Sequence, residues 1–162
     1  MDFFRLGVEL EGAMPRFFRR LREGVFDEDD VRRRAGELAH FVADARSVYG
    51  IGAPVVLGYS NGANIAAAVL LLHPNTLAGA VLLRATTPLS EPPRPDLSGI
   101  PVMILSGLND PVIPRSGAEK LARALASAGA RVERVELPAG HGLTQADVAH
   151  AKAFFARETA HG

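Results

Sequence analysis

Gly58-Tyr59-Ser60-Asn61-Gly62 follows the apolar residues Val55, Val56 and Leu57 and precedes an alanine-rich run over 63–72. A short apolar run entering and a small-residue run leaving predict a strand, a sharp turn and a helix, with Ser60 at the junction. A GxSxG at such a junction is the pattern of a nucleophile elbow, which lifts a serine hydroxyl above the end of a sheet. Gly58 and Gly62 carry no Cβ, so both are expected to let strand and helix approach closely while Ser60 is held in a strained backbone conformation.

Upstream of the elbow, Asp27, Asp29 and Asp30 mark the start of a helix that should run to about Tyr49, since carboxylates suit the positive end of a helix. Val31, Leu38, Phe41, Val42, Ala45 and Val48 are expected to form its apolar stripe, with Arg32, Arg33, Arg34, Glu37, Asp44 and Arg46 mostly opposite. His40 reads as a surface residue of that helix. Gly50, Gly52 and Pro54 close it before the elbow strand. Nearer the N-terminus, residues 3–10 suggest a short strand, and Phe17 and Phe18, set among Arg16, Arg19 and Arg20, are ambiguous: either could wall a substrate pocket, though a Phe pair beside arginines is more often packing.

Downstream, Pro74 stops the elbow helix, leaving His73 at its end. Residues 78–83 and 101–105 are unbroken apolar runs of the buried parallel-strand kind. Between them, 86–95 holds four of the eleven prolines and must be an irregular loop. An amphipathic helix over 115–128 ends at Gly129, and 132–137 alternates as an edge strand can. A last helix over 144–159 opens with Thr144 and Asp147 in capping-box spacing. This alternation predicts an α/β domain over residues 1–162, with a mainly parallel sheet of about five strands and helices on both faces.

Composition narrows the function. At 162 residues and 48% hydrophobic content, the chain suits one domain with a real core. Lys+Arg and Asp+Glu balance at 18 each, which gives no field for nucleic acid or an anionic membrane and favours a small-molecule substrate. Cysteine is absent, excluding disulfides, thiolate catalysis and cysteine-ligated metals. The N-terminus lacks the basic and apolar regions of a signal peptide, and the longest apolar run, 65–72, is too short to cross a bilayer. A cytoplasmic protein is the expectation.

A serine hydroxyl is a poor nucleophile at neutral pH without a base to take its proton and a carboxylate to hold that base. Asp110 and His141 each occupy a loop just past a strand, and the order Ser60, Asp110, His141 is that of α/β-hydrolases. His40, His73 and His150 lie on predicted helices and His161 in the tail, whereas His141 sits between Gly140 and Gly142, free to reach inward. Asp96 is the rival acid, but it precedes its strand and would lie at the wrong end of the sheet.

Residues 59–66 (YSNGANIA), the segment Met14-Pro15-Arg16-Phe17-Phe18-Arg19-Arg20, the turn over 107–111 and Gly140-His141-Gly142-Leu143 together resemble small bacterial carboxylesterases of the phospholipase/carboxylesterase family. The resemblance runs from about Glu11 onward. It implies an abbreviated α/β-hydrolase fold and a serine ester hydrolase without cofactor or metal, with Ser60 as nucleophile, His141 as base and Asp110 as orienting acid. The backbone N–H of Asn61 would be one oxyanion donor. Family members begin with further strands and a glycine-rich His-Gly loop that supplies a second donor, and the resemblance is to the family without that N-terminal third. The elbow strand is then expected at an open sheet edge, covered by residues 3–10 or by a second copy of the chain in a homodimer. The alternative reading is a hydrolase domain that is inactive alone and serves as a binding or assembly module.

Overall fold

The computed structural model describes residues 9–11, 14–18, 20–22 and 25–159, and begins with two short antiparallel pairs. β1 (Glu9–Glu11) pairs with β2 (Met14–Arg16), and β3 (Arg20–Arg22) with β4 (Val25–Phe26). Residues 3–8 of the strand expected over 3–10 lie outside the described residues. Phe18 is fully buried and meets Phe26 edge to face, with ring centroids 5.1 Å apart.

Asp27 caps the long helix α1 (Glu28–Tyr49), its carboxylate accepting the Asp30 N–H at 3.2 Å. Gly50 ends the helix in the left-handed conformation at φ 63°. The apolar stripe is narrower than expected. Val31, Ala35 and Val42 are buried, with Leu38 packed against them, but Phe41 and Ala45 are only half-buried and Val48 is 76% exposed. Each residue advances about 100° round a helix, so Phe41, Ala45 and Val48 fall on a face turned away from Val42.

Four parallel strands form the described sheet in the order β5 (Val55–Tyr59), β6 (Gly79–Leu83), β7 (Pro101–Gly107), β8 (Arg131–Leu137). The count is close to the five expected; β1 pairs with β2 instead of joining this sheet. The connecting and closing helices are α2 (Asn61–Leu72), α3 (Arg115–Ser127) and α4 (Gln145–Thr159).

Alternation along the strands builds two cores. Ala80, Leu82, Val102 and Ile104 pack with residues of α1, α2 and α3, whereas Val81, Leu83, Met103 and Leu105 pack with Ala151 and Phe154 of α4. Helices therefore cover both faces of β6 and β7, which is why both read as continuous apolar runs. Nine consecutive residues of α2, Ala63 to Leu71, are buried. A helix apolar all round is stable only when covered all round, and burying Ile65, Leu70 and Leu71 contributes roughly 1.5–3 kcal/mol each. At the two edges of this sheet, only Leu137 of β8 is buried, and Leu57 and Tyr59 of β5 are 53% and 38% exposed. Among the described residues no helix is long and apolar enough to cross a membrane.

Candidate active site

The turn from β5 into α2 puts Ser60 at φ 52°, ψ −115°, a conformation strained for any residue with a Cβ. Its backbone is pinned on both sides: Ser60 N–H donates to Leu83 O at 2.8 Å, and Ser60 O accepts from Asn64 N–H at 3.0 Å. Serine at an N-cap ordinarily caps its own helix, yet here the hydroxyl makes no capping bond. It lies instead 3.0 Å from His141 Nε2.

Gly58 is what the turn requires. A Cβ there would stand 2.6 Å from Gly62 O and 2.7 Å from Ala63 N and Cα, all backbone atoms that cannot swing aside. Gly62 differs from expectation, since a Cβ on it would meet only Phe17 Cε2, at an ordinary 3.6 Å. Strand and helix approach at Gly58 alone, with Gly62 contributing the carbonyl that a side chain would strike.

Asp110 leaves the C-terminal end of β7, and its side chain is 1% exposed. Oδ1 accepts the N–H groups of Val112 (2.8 Å) and Ile113 (3.0 Å), and Oδ2 lies 2.9 Å from His141 Nδ1. An ionised carboxylate only accepts, so this contact assigns the imidazole proton to Nδ1 and leaves Nε2 to accept from the Ser60 hydroxyl. Burial works to raise the Asp110 pKa, but hydrogen bonds from Ile113, His141 and Val112 outweigh it and hold the carboxyl below its ordinary 3.8. The two loops are stitched together by Leu108 N–H to Leu137 O (2.8 Å) and Asn109 N–H to Ala139 O (3.0 Å). Gly107 permits this, because a Cβ on it would run into the Ala139 and Gly140 carbonyls.

Ser60, His141 and Asp110 thus form one hydrogen-bonded chain, and Asn61 presents a first-turn N–H beside Ser60 that has no acceptor within α2. The other candidates stand apart. Asp96 is exposed and accepts the Ser98 N–H at 2.9 Å; His40 is exposed on α1; His73 caps the end of α2; His150 lies on α4. His161 lies outside the described residues.

A cavity of about 590 Å³ opens at Ser60 and His141, walled by Phe17, Tyr59, Ile65 and Leu77 among others. Phe17 and Phe18 therefore divide the two roles that their sequence left open: Phe18 packs and Phe17 lines the cavity. The Phe17 N–H donates to Asn61 Oδ1 at 2.6 Å, tying this segment to the elbow. A larger hollow of about 990 Å³ runs along α1 from Arg32 to Tyr49 and shares no residue with the first. Among the described residues no group of three or more His, Asp or Glu is placed to hold a metal ion.

Three residues near the site escaped sequence reading. Tyr59 donates its hydroxyl to His141 O at 3.1 Å, Asn64 Oδ1 accepts the Thr86 N–H at 2.9 Å, and Arg84 is fully buried against Asp147 beneath the His141 loop. The one available signal was an arginine directly after a wholly apolar strand.

Residues 8–158 match the family model described as Phospholipase/Carboxylesterase. The chain belongs to the phospholipase/carboxylesterase family. MhqD of Bacillus subtilis (strain 168) is 40% identical over 159 residues, covering 95% of this chain and 80% of MhqD. Among solved structures, the Bacillus cereus carboxylesterase superposes with a TM-score of 0.87 at 41% identity, over 92% of this chain and 71% of that one. A carboxylesterase from Mesorhizobium loti gives 0.85 at 30% identity, with the same shares covered. Family membership accounts for the α/β-hydrolase sheet.

Proposed function

We propose that the protein is a serine carboxylic ester hydrolase working through an acyl-enzyme intermediate. The observation that carries this reading is the chain Ser60 Oγ, His141 Nε2, His141 Nδ1, Asp110 Oδ2, with contacts of 3.0 and 2.9 Å, at the mouth of an apolar cavity. Family membership supports it independently.

In the first step Ser60 Oγ attacks the ester carbonyl carbon while His141 Nε2 takes the hydroxyl proton. Asp110 remains ionised and stabilises the imidazolium. Charge developing on the carbonyl oxygen is met by the Asn61 N–H at the positive end of α2. Collapse of the tetrahedral intermediate breaks the bond to the alcohol oxygen, which leaves with the proton from His141. Water then gives a proton to His141 and attacks the acyl carbon; breakdown releases the acid and returns the proton to Ser60. No cofactor enters.

The test is hydrolysis of p-nitrophenyl butyrate, together with intact-mass measurement after exposure to a fluorophosphonate. The expected result is ester turnover and one label per chain, both lost in Ser60→Ala. Hydrolysis or labelling that survives Ser60→Ala would remove Ser60 from the mechanism, and a folded wild-type chain that does neither would favour the binding-module reading.

A further inference from the structure

Arg84 directly follows β6 and lies in the left-handed region, at φ 54°, with no exposed surface. A residue with a Cβ stays there only when its surroundings over-determine it. They do so here. Arg84 N–H donates to Leu105 O at 2.8 Å, and on either side Ser60 N–H binds Leu83 O and Thr86 N–H binds Asn64 Oδ1. The conformation turns the side chain beneath the loop that carries His141.

All five guanidinium N–H groups are used. Nε donates to Gly140 O (2.9 Å), Nη1 to Leu105 O (3.3 Å) and Asp147 Oδ1 (2.8 Å), and Nη2 to Gly142 O (3.0 Å) and Asp147 Oδ2 (2.9 Å). Asp147 in turn accepts the N–H and hydroxyl of Thr144, each at 2.8 Å, so it also closes the start of α4. Gly140 and Gly142 have no side chains by which a loop could be anchored, and their carbonyls are what Arg84 holds. With Tyr59 on His141 O, three consecutive carbonyls across the loop each accept from a side chain.

We infer that Arg84 is the positioning residue for His141: its fork, paired with Asp147, holds the carbonyls on both sides of the imidazole and so sets the ring's reach to Ser60 and Asp110. This rests on His141 being the base proposed above. A flexible ammonium could keep the charge opposite Asp147 but cannot reproduce five donors in a fixed plane. The competing view is that the buried pair only holds the fold together.

Two variants separate these views. Arg84→Lys keeps the charge and loses the fork. The double variant Arg84→Met with Asp147→Asn leaves no buried charge unpaired and keeps an acceptor for Thr144, which protects folding if the lysine variant is too unstable. Melting temperature, kcat and KM per titrated site, and hydrogen exchange over 138–146 and 61–72 would be measured on each. The expected result is a fall in kcat of about 100-fold with KM little changed, as for a group displaced by about an ångström. Exchange should rise over 138–146 while 61–72 stays protected. Unchanged exchange over 138–146 would overturn the inference, as would wild-type kcat per titrated site with only a lower melting temperature. If the wild-type chain proves not to hydrolyse esters, the ester hydrolase reading fails and the exchange comparison alone decides whether Arg84 holds the loop. If wild-type activity depends on Ser60 and His141 but both variants keep full kcat, only the inference fails.

Discussion

Ser60 and His141 meet at 3.0 Å, but the two sides of that contact are built differently. On the serine side the support is mostly backbone: a five-residue strand, a glycine that admits the helix backbone, a helix buried over nine residues, and the Ser60 N–H held by Leu83 O of the neighbouring strand. The histidine side is a loop flanked by glycines and tied by the side chains of Tyr59 on β5, Arg84 just after β6 and Asp147 on α4, the last two 63 residues apart in sequence. A backbone-built turn can be broken only by changing its backbone, whereas a side-chain-tied loop can be loosened by replacing one guanidinium.

The largest effects should come from the contact itself. Ser60→Ala and His141→Ala are each expected to remove ester turnover almost completely, by about a millionfold in a well-formed site, because the two act as a unit. Steady-state rates on an activated ester check this, and a double variant no worse than either single one would confirm that they work together. Asp110→Asn should cost about ten-thousandfold, since an amide favours the wrong imidazole tautomer and cannot stabilise the imidazolium. Asp96→Asn, at an exposed turn, should leave the rate unchanged. Equal losses at Asp96 and Asp110 would leave the acid unassigned.

The serine side can be tested at its two glycines. Gly58→Ala forces a methyl group against the Gly62 and Ala63 backbone and should cost about 1–3 kcal/mol, as overpacking does. Activity should fall further than stability, because the turn can relax only by moving Ser60. Gly62→Ala meets open space apart from Phe17 and should stabilise α2 by roughly 0.5–1 kcal/mol. Chemical denaturation of both variants measures the contrast. A Gly62→Ala variant as damaged as Gly58→Ala would mean that the close approach is shared after all.

The same division explains what could be read from the sequence. The elbow is contiguous, so apolar run, glycine, serine and small-residue helix appear together at 55–72. Asp110 and His141 were legible because each lies in the short loop after a strand that the sequence displays, an apolar run before Asp110 and an alternating one before His141. Arg84 and Asp147 were not, because nothing in the chain near either one names the other. Asp147 shows locally only its capping spacing to Thr144, which it does satisfy, and its second role depends on where α4 packs relative to β6. Phe17 was ambiguous for a related reason: β1 to β4 are two or three residues long, too short to display a period. Gly62 misled in the opposite direction, since a motif letter implied a steric need that the backbone places on Gly58.

Acid offers a finer probe of the difference between the two sides. The histidine side holds two buried carboxylates, Asp110 and Asp147, and in both burial acts to raise the pKa while hydrogen bonds outweigh it. For Asp147 these come from Arg84 and Thr144, and both carboxyls end below their ordinary 3.8. A carboxyl more acidic in the folded than in the unfolded chain binds fewer protons when folded, so stability increases with pH across the interval between the two values. The contribution is complete above about pH 4, near the unfolded aspartate value, and is lost as pH falls through the folded values. Among Gly58, Tyr59, Ser60, Asn61 and Gly62, none carries a carboxylate. Below about pH 4, hydrogen exchange over 138–146 should therefore rise at a higher pH than exchange over 60–66. Asp147→Asn should flatten the acid dependence of the first segment and leave that of the second as it was. Loss of protection in both segments at one pH would mean that the loop opens only when the whole domain does, and that its side-chain ties add no separate step.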